Sequence, residues 1–168
     1  PAELGGRLRA DVRLVIGTRP EAIKLEPVAA ALRRAGIAPS LIFTGQHPGL
    51  DPIDHGLDGF AAADLGCPGC EDPRVHALAI ARRLAPLLAP RPDLLIVQGD
   101  TSSAFGGALA AEEAGVPLAH VEAGLRTHDP RLPWPEEEFR VAIDSRAALL
   151  FAPTELSAAN LRAEGVTD

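Results

Sequence analysis

The stretch Leu94-Leu-Ile-Val-Gln-Gly-Asp100-Thr-Ser-Ser103, with a small-residue segment after it and then Pro117-Leu-Ala-His-Val-Glu122-Ala-Gly-Leu-Arg126, restricts the fold more than any other part of the sequence. Two short apolar runs each end in a carboxylate, Asp100 and Glu122, and the residues between them have the length and composition of a helix. Strands joined by such a crossover lie parallel in one sheet. Both carboxylates then emerge at the same edge, beyond the carboxyl ends of the strands, where open α/β sheets bind their ligands.

The rest of the chain repeats the unit. Val12–Ile16 is a first strand stopped by Gly17. A helix of about fifteen residues follows and ends near Gly36. Pro20 suits its first turn, Glu21 sits at the positive end of its dipole, and Pro27 is expected to kink or restart it. Ser40–Thr44 is a second strand, running into Gly45-Gln46-His47. Residues 48–73 are rich in Gly, Pro and Asp and read as irregular, with one short helix around 49–57. From Pro73 to Ala89, Ile80, Leu84, Leu87 and Leu88 share a helical face, with Pro86 weakening the last turn. Leu94–Val97 is a third strand. The helix over 102–114 carries Gly106 and Gly107, each costing about 1 kcal/mol against Ala, which is tolerable where its backbone must approach a sheet or ligand closely. Leu118–Val121 is a fourth strand, 123–135 a loop holding Trp134, and Pro135–Ser145 a helix. Ala148–Phe151 is a fifth strand, and Thr154 caps a last helix to Glu164. Residues 1–11 read as a flexible lead-in. Residues 12–168 therefore predict an α/β fold, a Rossmann-like doubly wound parallel sheet. Gly17-Thr-Arg-Pro20 lacks the dinucleotide fingerprint, which disfavours a nicotinamide enzyme.

Composition narrows the function. A net charge of −7 argues against a nucleic-acid surface. No apolar run reaches 18 residues and the amino-terminal segment lacks the order of a signal peptide, so no membrane role and a cytoplasmic location are expected. Cys67-Pro-Gly-Cys70 has redox or metal spacing, but it lies in a Gly/Pro/Asp-rich loop without a second Cys pair, so loop structure is the better reading and no metal is expected.

Each candidate residue has an ordinary alternative. Asp100 could be a helix N-cap. Glu122 follows a buried strand with no helix to cap, so it is either paired, with Arg126 at hand, or held for chemistry. Glu136, Glu137 and Glu138 could compensate a helix dipole; Glu136 stands out only as the one directly after Pro-Trp-Pro. Arg19 precedes a helix N-terminus, where amides favour anions, and Lys24 lies a turn further on. Together they point to a diphosphate site facing the carboxylates. His120, within a strand, reads as a satisfied core histidine.

Gly17-Thr-Arg-Pro-Glu-Ala-Ile-Lys24, Thr44-Gly-Gln-His47, Gln98-Gly-Asp-Thr101, His120-Val-Glu-Ala-Gly-Leu-Arg126 and Pro133-Trp-Pro-Glu-Glu137, in that order, resemble the non-hydrolysing UDP-N-acetylglucosamine 2-epimerases. The likeness spans residues 12 to 166. It implies the N-terminal domain of a two-domain, glycosyltransferase-B type fold; the second domain, which holds most uridine- and diphosphate-binding groups and a catalytic histidine, is absent from this chain. It implies a reaction without cofactor. UDP is eliminated with loss of the C2 proton, giving a 2-acetamidoglucal, and re-adds with protonation on the other face to give the mannosamine isomer. Asp100, Glu122 and Glu136 match the family's acidic catalytic positions. Arg19, Lys24 and Arg140 match substrate-binding positions. Gln46 and His47 match a region that contacts a second, allosteric UDP-N-acetylglucosamine in bacterial members. Phe139 departs from the family's usual Asn. A homodimer and a product destined for envelope polysaccharide are also implied. Two other outcomes stay open: a hydrolysing epimerase releasing UDP and free N-acetylmannosamine, and a stand-alone, non-catalytic domain that binds a nucleotide-sugar or a partner.

Overall fold

The computed structural model describes residues 10–167. Six strands form one fully parallel sheet in the order β3-β2-β1-β4-β5-β6: β1 Val12–Ile16, β2 Ser40–Phe43, β3 Ala61–Asp64, β4 Leu94–Gln98, β5 Leu118–Val121 and β6 Leu149–Phe151. The helices are α1 Arg19–Arg34, α2 Pro73–Leu84, α3 Ser102–Ala114, α4 Glu136–Asp144 and α5 Glu155–Ala163. Strand order reverses between β1 and β4, the switch point at which such sheets open a ligand crevice.

Alternation along the strands sorts the core into two layers. Val12, Leu14 and Ile16 of β1 pack with Ala22, Leu25 and Ala29 of α1 on one face. Val15, Val97 and Leu118 pack on the other with Leu84 of α2, Ala104 and Ala108 of α3, and Phe139 and Ile143 of α4. The two helical glycines sit at close approaches. A Cβ on Gly106 would lie 2.7 Å from the Ala77 carbonyl oxygen, and one on Gly107 2.8 Å from Val97 Cγ1.

The structure differs from the sequence expectations at several points. There are six strands, not five: β3 pairs with β2 from Ser40↔Ala61 to Phe43↔Asp64, inside the segment read as irregular. Its sequence Ala-Ala-Ala-Asp carries no strand preference. The short helix of that segment is a single 3-10 turn, Ile53–His55. Helix α1 runs through Pro27 as one helix. Pro27 and Ile23 are both on its exposed side, so water can take the carbonyl that Pro27 leaves without a donor. Helix α2 gives way at Leu84 to a 3-10 segment, Ala85–Leu88, that contains Pro86. Most of the lead-in expected over 1–11 lies outside the described residues, but Asp11 is tied down. Its N–H donates to Asp93 Oδ2 at 2.8 Å, and its carbonyl accepts from Asp93 N at 2.9 Å. Among the described residues no helix is long and apolar enough to cross a membrane.

Candidate active site

Four turns meet at the carboxyl edge of the sheet. The turn after β1 is built by a capping box. Thr18 caps α1, and Glu21 three residues on reaches back to accept from Gly17 N at 2.7 Å and Thr18 N at 2.6 Å. Glu21 also accepts from the Thr101 hydroxyl at 2.5 Å, which joins this turn to the one after β4. Burial pushes the Glu21 carboxyl above its ordinary range, against these donors. Of the first-turn amides of α1, the capping box takes Thr18 N and Glu21 N, and Pro20 has none, so only that of Arg19 lacks a capping partner among the described residues. The open cradle of amides expected beside Arg19 is thus already filled.

The turn after β4 carries Asp100. Thr101, not Asp100, caps α3, accepting from Ala104 N at 3.0 Å. This frees Asp100 to accept from Arg140 Nη2 of α4. Burial raises the Asp100 carboxyl above its usual value. Arg140 opposes that rise, while the charges of Glu136 and Glu122 add to it. Three carboxylates from three elements are therefore close enough to sense one another.

Glu122, in the turn after β5, has φ +73°, a backbone region that side-chain-bearing residues seldom occupy and that tends to mark functional sites. Its Oε2 accepts from Lys24 Nζ at 2.6 Å and from Gln98 Nε2. Both donors fall on Oε2, which leaves Oε1 without a protein donor among the described residues. The expected pairing with Arg126 does not form. Arg126 instead meets Asp144 Oδ2 at 2.8 Å and Glu164 at 2.7 Å. Lys24, expected with Arg19 at an anion site, sits inside the carboxylate cluster.

Helix α4 supplies Glu136 and Arg140. Glu136 Oε2 and Glu137 Oε2 are buried without a hydrogen-bond partner, and so is Arg140 Nε. Unpaired buried groups are costly, and these lie on the helix whose Arg140 reaches Asp100. The neighbouring glutamates have other partners. Glu137 Oε1 accepts from Thr127 N and His128 N, each at 2.9 Å, and so braces the 123–135 loop, while its Oε2 lies 3.3 Å from Arg140 Nη1. Glu138 pairs with Arg74 at the surface. Phe139 is fully buried and stacks on Phe105 of α3, ring centroids 4.6 Å apart, which seats α4.

Arg19 and His47 meet elsewhere, in a cavity of about 500 Å³ also lined by Asp51, Asp54 and His55. Gln46 is turned inward, its Oε1 accepting from Ser103 N at 3.1 Å and Ser103 Oγ at 2.6 Å. The structure thus gathers Asp100, Glu122, Glu136, Lys24 and Arg140, and sets Arg19 and His47 beside them in a separate hollow. Cys67 and Cys70 are free thiols, and no metal-binding cluster occurs among the described residues.

Several supporting residues escaped the sequence reading. The Thr-x-x-Glu signature of Thr18 to Glu21 was sufficient to find the capping box. Gln98, at the end of an apolar strand, and Asp144, in a helix, carry no comparable signal. Chemically, the cluster offers three carboxylates, each with at least one oxygen free of a protein donor among the described residues, one of them held protonated to higher pH than usual, and two cations paired with Glu122 and Asp100. That is the equipment of proton transfer at carbon or oxygen.

A family model described as UDP-N-acetylglucosamine 2-epimerase matches residues 30–168. A UDP-N-acetylglucosamine 2-epimerase of Methanocaldococcus jannaschii is 36% identical over 164 residues, covering 92% of this chain and 43% of the relative. The crystal structure of the UDP-GlcNAc 2-epimerase of Neisseria meningitidis bound to UDP-GlcNAc superposes with a TM-score of 0.86 at 36% identity, over 94% of this chain and 43% of that one. MurG of Acinetobacter baumannii, 13% identical with a TM-score of 0.63, over 88% of this chain and 42% of that one, shares the fold alone. The chain spans less than half the length of these relatives.

Proposed function

The chain belongs to the UDP-N-acetylglucosamine 2-epimerase family, and from that premise we propose that the protein carrying it interconverts UDP-N-acetylglucosamine and its mannosamine epimer, with residues 12–168 as the N-terminal catalytic domain. The convergence of Asp100, Glu122 and Glu136 at the sheet's carboxyl edge carries this reading. Elimination breaks the C1–O bond to UDP as a carboxylate removes the C2 proton. Re-addition returns the proton to the opposite face and restores that bond. No electron acceptor is needed, so no cofactor is called for. Glu122 is suited to the base because Lys24 and Gln98 hold Oε2 and leave Oε1 open. Asp100, whose carboxyl keeps its proton to higher pH, is suited to the acid. Glu136 is close enough to Asp100 to add to its raised value. Arg140 restrains Asp100, and Lys24, beside Glu122, with Arg19 from the neighbouring hollow, are the cations available to the anionic leaving group.

Gln46 and His47 belong, on this reading, to a nucleotide-sugar contact at the cavity beside Arg19. The protein is a homodimer in the cytoplasm, feeding polysaccharide synthesis, and binds neither nucleic acid nor membrane. The 168-residue chain alone is inactive, because a second domain must close the cleft; turnover by the chain alone would contradict this.

The test is proton exchange at C2: full-length protein, UDP-N-acetylglucosamine and deuterated water, followed by NMR. Deuterium at C2 of both epimers, abolished in Glu122→Gln and Asp100→Asn, is the expected result. Release of UDP with free N-acetylmannosamine would replace the reading by a hydrolysing one. Neither exchange nor UDP release would sink it and favour a binding domain.

A further inference from the structure

The cluster around His120 takes no part in the chemistry above, yet it touches both carboxylate-bearing turns. His120 lies in β5 with its side chain 0% exposed. Its Nδ1 is 2.5 Å from Asp144 Oδ1, and its Nε2 is 2.7 Å from the Gly99 carbonyl oxygen. A carbonyl can only accept. An ionised carboxylate can only accept as well, and donors other than His120 hold Asp144 ionised: its Oδ2 takes the Arg126 guanidinium at 2.8 Å and the Gly124 amide at 3.0 Å. A neutral imidazole has one N–H. One of the two short contacts would then set lone pair against lone pair. Both ring nitrogens must donate.

The surroundings fit that state. The groups facing His120 and its partner are Asp144 from α4, side chain 3% exposed, Arg126 from the loop after β5, 1% exposed, and Glu164 beyond α5, 42% exposed, which takes Arg126 in a two-point pair at 2.7 Å and 2.7 Å. Glu164 lies in water, so Asp144 is the one buried anion of the group. A buried carboxylate is tolerable only when paired and hydrogen-bonded, and Asp144 has Arg126, the Gly124 amide and His120 around it.

The connections show what the charge holds in place. The Gly99 carbonyl belongs to the peptide unit that leads into Asp100. Gly99 N donates to the Val121 carbonyl, next to Glu122, at 3.0 Å. Asp144 Oδ2 accepts from Gly124 N at 3.0 Å, two residues beyond Glu122. One charged pair therefore grips the turn after β4 through His120 and the turn after β5 through Asp144.

We propose that His120 is a positioning residue: held doubly protonated between Asp144 and the Gly99 carbonyl, it fixes the Asp100 turn against the Glu122 turn. Its consequence for turnover rests on the epimerase reading; its protonation and its grip on the two turns do not.

Two measurements on the full-length protein test this. Long-range proton–nitrogen spectra of the histidine rings, with backbone amide spectra, are recorded at pH 7.5 for wild type, His120→Asn and Asp144→Asn. Both His120 ring nitrogens are expected to carry protons in wild type. Asp144→Asn is expected to remove one, and both variants to shift the amides of Gly99, Asp100 and Glu122. A single ring N–H in wild type, or unmoved amides in folded variants, would overturn the proposal, and wild type alone decides the first point should a variant fail to fold. Kinetics then read the functional consequence. In folded variants kcat falls by about 10²-fold while KM changes little, the loss expected of a reacting group moved by about 1 Å. Wild-type kcat in both folded variants would refute the positioning role. An inactive wild type would refute the epimerase reading instead, leaving the spectra to judge His120.

Discussion

Phe139 joins the core to the site, and its removal has a calculable cost. It stands in α4 between Glu138 and Arg140, fully buried, with its ring on Phe105 of α3. Truncating a buried Phe to Ala costs about 3–5 kcal/mol, from lost transfer energy plus the cavity left behind. For a chain of this size each kcal/mol lowers Tm by about 2–4 °C, so Phe139→Ala should melt roughly 8–16 °C below wild type at a cost near 4 kcal/mol. The stacking component is separable by a double-mutant cycle with Phe105→Leu and Phe139→Leu. Leu keeps much of the volume and removes the ring, so the coupling should be about 0.5–1.5 kcal/mol. Thermal and urea unfolding of the four proteins give both numbers. A Tm loss under about 3 °C for Phe139→Ala, or a coupling indistinguishable from zero, would refute the claim that this stack seats α4. Because α4 also carries Glu136 and Arg140, folded Phe139→Ala should lose kcat more than it gains KM.

Three further outcomes are expected. Glu122→Gly and Glu122→Gln both remove the charge, but only glycine relieves φ +73°; Glu122→Gly should be the more stable by about 0.5–1 kcal/mol, being left-handed strain less glycine's extra entropy, and equal stabilities in urea would refute that strain. Asp100 is raised chiefly by burial, with Glu136 and Glu122 adding to it, so its ionised form burdens the fold as pH rises through the raised value. Asp100→Asn should therefore raise Tm at neutral pH; a fall would mean that pairing with Arg140 outweighs burial and repulsion. Asp144 has the opposite sign. Its folded value lies below the ordinary 3.8, so its contribution is complete above 3.8 and is lost as pH falls through the depressed value. Between about pH 5 and pH 2, Asp144→Asn should flatten the decline of urea stability relative to wild type, and an unchanged slope would contradict the assignment.

The order of elements was legible because the core strands are short, mostly apolar runs, Arg13 and His120 excepted, stopped by Gly or a carboxylate. Strand β3 was not, because Ala61-Ala-Ala is chosen by its place at the sheet edge rather than by propensity. Asp100 and Glu122 could be placed at one edge from topology alone. Their partners could not. Lys24 reaches Glu122 across 98 positions of sequence and Arg140 reaches Asp100 across 40, and nothing local distinguishes either cation from a solvated one. Glu137 illustrates the same limit from the other side. It stands beside Glu136 in a run of three glutamates, and only the fold of the 123–135 loop decides that Glu137 Oε1 braces backbone while Glu136 does not.

The two helix N-termini at the switch point constrain how an anion can be held here. In many open α/β sheets the amides of such helices bind phosphate directly. Glu21 and Thr18 occupy that end of α1, and Thr101 with Gln46 occupies Ala104 N and Ser103 N at the start of α3. The crevice therefore presents carboxylates and the cations paired with them rather than a phosphate nest. Such a surface suits proton transfer at a sugar better than capture of a diphosphate. On the proposed function, the nucleotide must take most of its binding energy from groups outside residues 10–167, and these residues supply the acid and base.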